Sequence, residues 1–227
     1  KIKVEEKGQS LADDIARVAA AREALPNARL KVDANMGYTL AGALDALRKL
    51  CEYGIIYAEQ PVASIEDMAA LRFAIAKEGL PARIAADESI RKAEDPLKVA
   101  RANAADLMVI KAAPLGGVRR ALALVEQAQL PAVVSSALES SVGIATGASL
   151  SASLPTLRYG CGLGTVSLMA EDVTDEPLIA RDGFMDLRTI TPSLQRLERL
   201  ATDEQTRQWW VERVTACYRV LERASGL

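Results

Sequence analysis

Five short apolar runs in this chain each end on a charged residue, and they recur at the interval of one strand plus one helix. They are Lys1-Ile2-Lys3, Leu30-Lys31-Val32-Asp33, Ile55-Ile56-Tyr57-Ala58-Glu59, Arg83-Ile84-Ala85-Ala86-Asp87 and Leu107-Met108-Val109-Ile110-Lys111. From Lys3 through Asp33, Glu59 and Asp87 to Lys111 the steps are 30, 26, 28 and 24 residues. Strands alternating with helices at this spacing make βαβ units and a parallel sheet. Charges at the carboxyl ends of successive parallel strands are the linear signature of a barrel whose site lies at that mouth.

Strand-like runs fall at 1–5, 29–34, 55–60, 83–87, 106–112, 132–137 and 159–164, separated by helical patterns at 10–24, 39–53, 64–78, 93–104, 116–129 and 140–153. In the second helix Leu40, Ala43, Leu44, Leu47 and Leu50 share one face, with Asp45, Arg48 and Lys49 elsewhere. Thr39 and Ser64 stand where N-caps belong. The fold class expected is α/β, a TIM-type (β/α) barrel. Its rival is an open doubly wound sheet, which concentrates its site at one switch point instead of marking nearly every strand end. A closed barrel needs eight strands, so seven runs lead to the expectation that the first βα unit lies upstream in a longer polypeptide. The catalytic barrel is expected over 1–190, as strands 2 to 8. Residues 178–185 read as a hairpin turning on Asp182-Gly183. Residues 191–227 read as a helical segment, with Trp209, Trp210, Val214 and Tyr218 packing on the barrel.

Composition closes off several chemistries. The chain has 227 residues, 50% hydrophobic and 26% charged, which suits one domain with a sizeable core. With 28 basic and 30 acidic residues the net charge is -2, no footprint for nucleic acid. No apolar stretch approaches the roughly 20 residues that cross a bilayer, and no signal-peptide pattern opens the chain. There is no histidine, which removes His-dependent zinc sites, Ser-His-Asp triads and a histidine base together. Cys51, Cys161 and Cys217 are odd in number and far apart, and read as small buried thiols of a cytoplasmic protein.

Side chains alternate along a strand, so Lys1 and Lys3 share one face, as do Lys31, Asp33 and Asn35. In a barrel that face is the interior. Asp33, Glu59 and Asp87 converging there would repel one another without a cation. An all-oxygen set favours Mg2+, or Mn2+, over zinc. Lys3 and Lys111 lie four repeats apart and would face each other across the mouth. Beside a metal and a second cation, a lysine can be lowered towards neutrality and serve as a base. Lys111 taken alone could instead form an imine, a chemistry that does not require a carboxylate cluster.

The runs Lys1-Ile2-Lys3, Val32-Asp33-Ala34-Asn35, Glu59-Gln60-Pro61, Ala86-Asp87-Glu88-Ser89 and Ile110-Lys111 resemble, in type and order, the muconate-lactonizing subgroup of the enolase superfamily. That superfamily is itself a stock example of lysine or histidine bases working with Mg2+. Lys111-Ala112-Ala113-Pro114-Leu115-Gly116-Gly117, the Val134–Gly143 stretch and Cys161-Gly162-Leu163-Gly164-Thr165 look most like its o-succinylbenzoate synthase branch, the actinobacterial form in particular. The resemblance covers about residues 1–190. It implies that Asp33, Glu59 and Asp87 bind Mg2+, which holds a substrate carboxylate and stabilises the enediolate formed from it. Lys3 would abstract the α-proton and then assist hydroxide departure, a syn dehydration; Lys111 would stabilise the anion from the opposite face. Lys1 would hold Lys3 in a lowered-pKa state and lie close to substrate. Asn35, Ser135, Ser136, Gly162 and Gly164 would help bind substrate, and Glu88 would support the metal ligands. Gly116-Gly117 reads as an anion-binding helix start or a tight turn, and Gly143 with Gly147 as close helix packing.

The implied enzyme is a metal-dependent lyase of menaquinone biosynthesis, forming 2-succinylbenzoate from 2-succinyl-6-hydroxy-2,4-cyclohexadiene-1-carboxylate. An N-acylamino acid racemase or dipeptide epimerase uses the same two lysines for 1,1-proton transfer and is the alternative. A catalytically inactive binding barrel is a remote third. The partner is then a small carboxylate, with no nucleic acid or membrane, and the chain a monomer or small homo-oligomer. The superfamily also carries a separate N-terminal α+β capping domain that closes on substrate. Nothing like it precedes Lys1, so it too is expected upstream.

Overall fold

A computed structural model describes residues 1–6, 8–92 and 94–225. Six short strands form one sheet: β1 (Ile2–Lys3), β2 (Val32–Asp33), β3 (Ala58–Glu59), β4 (Ile84–Ala86), β5 (Leu107–Ile110) and β6 (Ala132–Val134). All neighbours are parallel and their spatial order is the chain order. A doubly wound sheet reverses its strand order at a switch point, so this singly wound order removes that rival. The helices between them are α1 (Leu11–Ala24), α2 (Leu40–Leu50), α3 (Ile65–Glu78), two short turns α4 (Glu88–Arg91) and α5 (Lys98–Arg101), α6 (Val118–Ala128) and α7 (Ser141–Ser153).

Helix starts follow the local chemistry. Ser10 caps α1 in a reciprocal box with Asp13, Thr39 accepts from the Gly42 amide and Ser64 from the Asp67 amide. The helix expected over 93–104 is cut down to α5. Pro96 disfavours a helical Asp95, and Asn103 turns left-handed at φ +52°; residue 93 itself lies outside the described residues. In the Gly116-Gly117 turn both residues have positive φ, which glycine adopts without strain. A side chain on Gly147 would meet Leu163 at 2.7 Å, so α7 approaches the non-helical 159–164 segment closely, while one on Gly143 would meet Glu139 just before α7; the expected helix packing is replaced by these contacts.

Strand parity builds two cores. Even positions such as Val32, Ala58, Ile84, Ala86, Met108, Ile110 and Val134 pack against the helices. Odd positions Tyr57, Ala85, Leu107, Val109, Val133 and Tyr159 form a separate cluster inside the curled sheet. This interior packing is that of a barrel, a filled core with its site at one end.

Three expectations are corrected. The seventh run does not form a strand: it meets β6 only in a parallel bridge, Ser135 to Gly162, with Gly162 N donating to Val134 O (2.8 Å) and Ser136 N to Gly162 O (3.0 Å). Glycine at 160, 162 and 164 leaves alternate positions without side chains to pack, which weakens a strand. The cysteines are free, but only Cys51 is partly buried; Cys161 and Cys217 are exposed. The C-terminal helices α8 (Leu194–Arg199) and α9 (Glu204–Ser225) form where helix was expected, yet Trp209 and Trp210 are 52% and 53% exposed and Val214 and Tyr218 are exposed too. The two indoles pack edge to face on each other, centroids 4.7 Å apart, and not on the barrel. An amphipathic stripe states that a face seeks cover without stating which surface supplies it. The expected hairpin is present in minimal form, one antiparallel bridge between Arg181 and Phe184 about Asp182 (φ +51°) and Gly183 (φ +82°).

Candidate metal and acid–base site

The site is assembled by register. Lys3 pairs with Asp33 and Asp33 with Glu59 across β1, β2 and β3, and Glu59 pairs with Ala85, two residues before Asp87 on the same face. Asp33, Glu59 and Asp87 therefore stand on consecutive strand ends at one mouth, all three buried. Lys111 follows β5 and is also buried, at 8% exposure.

Each acid is matched to a cation. Lys1 Nζ lies 3.0 Å from Asp33 Oδ2 and 2.9 Å from Glu59 Oε1. Lys3 Nζ reaches the same Asp33 oxygen at 2.6 Å and donates to Asn35 Oδ1. Lys111 Nζ grips both oxygens of Asp87, at 2.7 and 2.6 Å. Arg91, one turn further on, bridges Asp87 Oδ1 (3.2 Å) and Glu88 Oε1 (2.7 Å), and Asn35 Nδ2 donates to that Glu88 oxygen at 3.2 Å. A chain of polar contacts thus runs from Lys3 through Asn35, Glu88, Arg91 and Asp87 to Lys111.

Burial alone would raise the Asp33 carboxyl, but the ammonium groups of Lys1 and Lys3 outweigh it and hold the group below its ordinary range. Glu59 goes the other way. Burial and the neighbouring Asp33 charge, with a further contribution from Asp87, push its carboxyl up despite Lys1. Burial also opposes the charge on Lys1, yet Glu59 and Asp33 overcome this and raise it.

The remaining expected residues divide. Ser136 is buried, its hydroxyl bonded to Gly162 O (3.1 Å) and Thr165 Oγ1 (2.9 Å). Ser135, on the interior parity, is half-buried and makes only a longer contact to Gly162 O at 3.3 Å. A side chain on Gly162 would collide with Ser135 Oγ at 2.8 Å, whereas Gly164 faces open space. Two residues escaped the sequence reading. The i+4 and i+3 spacings of Arg91 from Asp87 and Glu88 could have revealed it; Gln60 stands within the Glu59-Gln60-Pro61 run, yet nothing in that run assigns it a partner.

The enolase C-terminal domain-like family model matches residues 1–192. The chain belongs to the enolase superfamily. Among curated superfamily relatives it is 52% identical over 222 residues to the o-succinylbenzoate synthase of Mycolicibacterium smegmatis, covering 97% of this chain and 67% of that protein. It is 50% identical over 227 residues to the o-succinylbenzoate synthase of Mycobacterium tuberculosis, covering all of this chain and 67% of that one. The muconate lactonizing enzyme of Pseudomonas putida superimposes with a TM-score of 0.76 at 27% identity, over 88% of this chain and 57% of that structure. The chain thus spans about two thirds of its curated superfamily relatives and little more than half of the solved one.

Enolase superfamily members depend on a divalent metal. Among the described residues, no three acidic, cysteine or histidine side chains are already gathered around a common point, because the carboxylates turn to the lysines and Arg91. The donor set nevertheless fits a hard cation. It is all oxygen, it is buried, Glu59 is held up by like charge, and the neighbouring Glu88 Oε2 is buried without a hydrogen-bond partner. No helix among the described residues is long and apolar enough to cross a membrane.

Proposed function

We propose that the barrel carries out o-succinylbenzoate synthase chemistry: Mg2+-dependent syn dehydration of 2-succinyl-6-hydroxy-2,4-cyclohexadiene-1-carboxylate to 2-succinylbenzoate. The observation that carries this reading is the pair Lys3 and Lys111, each tied to a different member of one buried carboxylate trio, in a chain about half identical to named synthases over its whole length. Asp33, Glu59 and Asp87 would hold the ion, which supplies Lewis-acid stabilisation of charge on the substrate carboxylate. Mg2+ suits an oxygen-only set better than zinc does.

Lys3, whose side chain is 45% exposed, takes the proton α to the carboxylate on Nζ. The C–H electron pair forms the ring double bond as the C–O bond breaks. The same ammonium returns its proton to the leaving hydroxide, which departs as water, so both events occur on one face. Lys111 donates to both oxygens of Asp87, which fixes its Nζ at the mouth of the site. It stabilises developing negative charge from the opposite side. A racemase or epimerase requires Lys111 to alternate as a second base; the 50–52% identity to named synthases favours the dehydratase. Ser135 and the Gly162–Gly164 backbone would line the end of the substrate distant from the reacting carbon, with Asn35 and Lys1 orienting Lys3 and the acids. The balanced charge, 28 basic against 30 acidic residues, supports a protein without nucleic-acid partners, and the three free cysteines support a cytoplasmic one.

The test compares dehydration with α-proton exchange of an N-succinyl amino acid in D2O, on the full polypeptide that carries this barrel. Dehydration is expected to dominate, and Lys3→Ala to lower both reactions by about 10²- to 10⁴-fold. Rapid exchange with no detectable dehydration would overturn the substrate, and a Lys3→Ala variant that still dehydrates would remove Lys3 from the base role.

A further inference from the structure

Between Glu59 and the trio's third acid sits a residue with no role in the reaction as derived. Gln60 is fully buried, with φ +36°, a left-handed backbone that turns the chain sharply at the end of β3. Its carboxamide reaches across to the next strand end. Oε1 accepts from the Asp87 amide at 3.0 Å and the Ser89 amide at 3.1 Å. Nε2 donates to Ser89 Oγ at 2.8 Å and to Val62 O at 3.0 Å, with Met68 Sδ a further acceptor at 3.1 Å. Both acceptor and both donor positions of the amide are thereby used. The backbone of Gln60 extends the clasp: its N–H donates to Ala85 O at 2.8 Å and its carbonyl accepts from Met36 N at 2.8 Å, three residues after Asp33. One buried residue thus touches the strand-end loops that carry all three acids.

We propose that Gln60 is a positioning residue for the metal site, setting the location of Asp87 relative to Glu59. Asp87 sits outside regular geometry, at φ -113° and ψ -71°, before a helix of only four residues. A turn that short has little stability of its own. The Asp87 amide therefore depends on Gln60, and displacing it moves the carboxylate that Lys111 and Arg91 also grip. Partners that orient metal ligands typically alter metal affinity 10- to 100-fold when removed. The proposal rests on the reading of Asp33, Glu59 and Asp87 as ligands.

The test is calorimetric titration of Mg2+, with electron paramagnetic resonance of bound Mn2+, on the full polypeptide. Gln60→Met keeps the side-chain length and removes every side-chain amide hydrogen bond, whereas Leu71→Met alters a buried side chain of α3 that takes no part in them. Gln60→Met is expected to weaken Mg2+ by about tenfold or more and to change the Mn2+ spectrum, while Leu71→Met leaves both at wild-type values. A folded Gln60→Met with wild-type affinity and spectrum overturns the proposal. Should Gln60→Met fail to fold, Ser89→Ala decides: it removes the nearest Nε2 acceptor on the turn that follows Asp87, a several-fold weakening is expected, and unchanged affinity refutes the role. If wild type and Asp87→Ala both bind no Mg2+, the ligand reading itself has failed and takes this proposal with it.

Discussion

Tyr57→Phe should make this protein more stable, although it removes an atom from the centre of the barrel. The Tyr57 ring is completely buried, edge-on to Tyr159 with centroids 5.5 Å apart and an interplanar angle of 84°. The Lys31 ammonium sits 5.4 Å from its centroid. Phenylalanine retains both contacts. The hydroxyl is different, being buried without a hydrogen-bond partner. An unsatisfied buried hydroxyl costs about 1–3 kcal/mol. Removing one oxygen leaves a void of about 10 Å3, which at about 24 cal/mol per Å3 returns only about 0.2 kcal/mol of destabilisation. The net gain is about 1–3 kcal/mol, or about 2–11 °C in Tm for a chain of this size. Tyr159→Phe is the control of opposite sign. Its hydroxyl accepts from Arg83 Nη1 at 2.7 Å, and loss of that charge-assisted bond should cost about 1 kcal/mol after allowance for its partial exposure. Urea unfolding with both variants gives the answer. A Tyr57→Phe protein less stable than wild type by 1 kcal/mol or more would show that the hydroxyl is bonded, and that the barrel interior is not the dry cluster described above.

Two further outcomes follow from the packing. Arg22 donates to the carbonyls of Tyr53 (2.9 Å), Pro26 (2.9 Å) and Ala28 (2.8 Å), knitting the end of α1 to the loops around it. Arg22→Ala should lower stability by about 2–3 kcal/mol, and Arg22→Lys should rescue little, since one ammonium cannot span three carbonyls; full rescue in urea midpoints would contradict this. Burial pushes the Cys51 thiol up while Cys161 and Cys217 are exposed, so a thiol reagent at pH 8 should label two of the three cysteines promptly and Cys51 more slowly. Equal labelling rates for all three would refute that assignment.

The features legible in the sequence are local or periodic. Alternation along five apolar runs put Lys3, Asp33, Glu59, Asp87 and Lys111 on one face, and the register bears this out for the first three strands residue by residue. Thr39 and Ser64 cap because a side-chain oxygen next to a free helical amide needs no distant partner. What failed to be legible has a common cause. The 159–164 run looked like a strand because it lies one interval after β6, yet pairing depends on side chains its glycines lack. The stripe on α9 predicted contact with the barrel, but a hydrophobic face is compatible with any apolar surface, and the structure leaves it exposed.

The sequence by itself determined the order of charges around the barrel mouth, because a parallel, singly wound sheet converts chain order into angular order. Only the tertiary structure decided how those charges pair: Lys1 with both Asp33 and Glu59, Lys111 with Asp87, Arg91 between Asp87 and Glu88. It alone placed Gln60 under Asp87, residues 27 apart in sequence. Such pairings are settled by a few ångströms of separation in a buried, low-dielectric space, where the choice between neighbouring counter-charges depends on distance and desolvation and leaves no periodic trace in the chain.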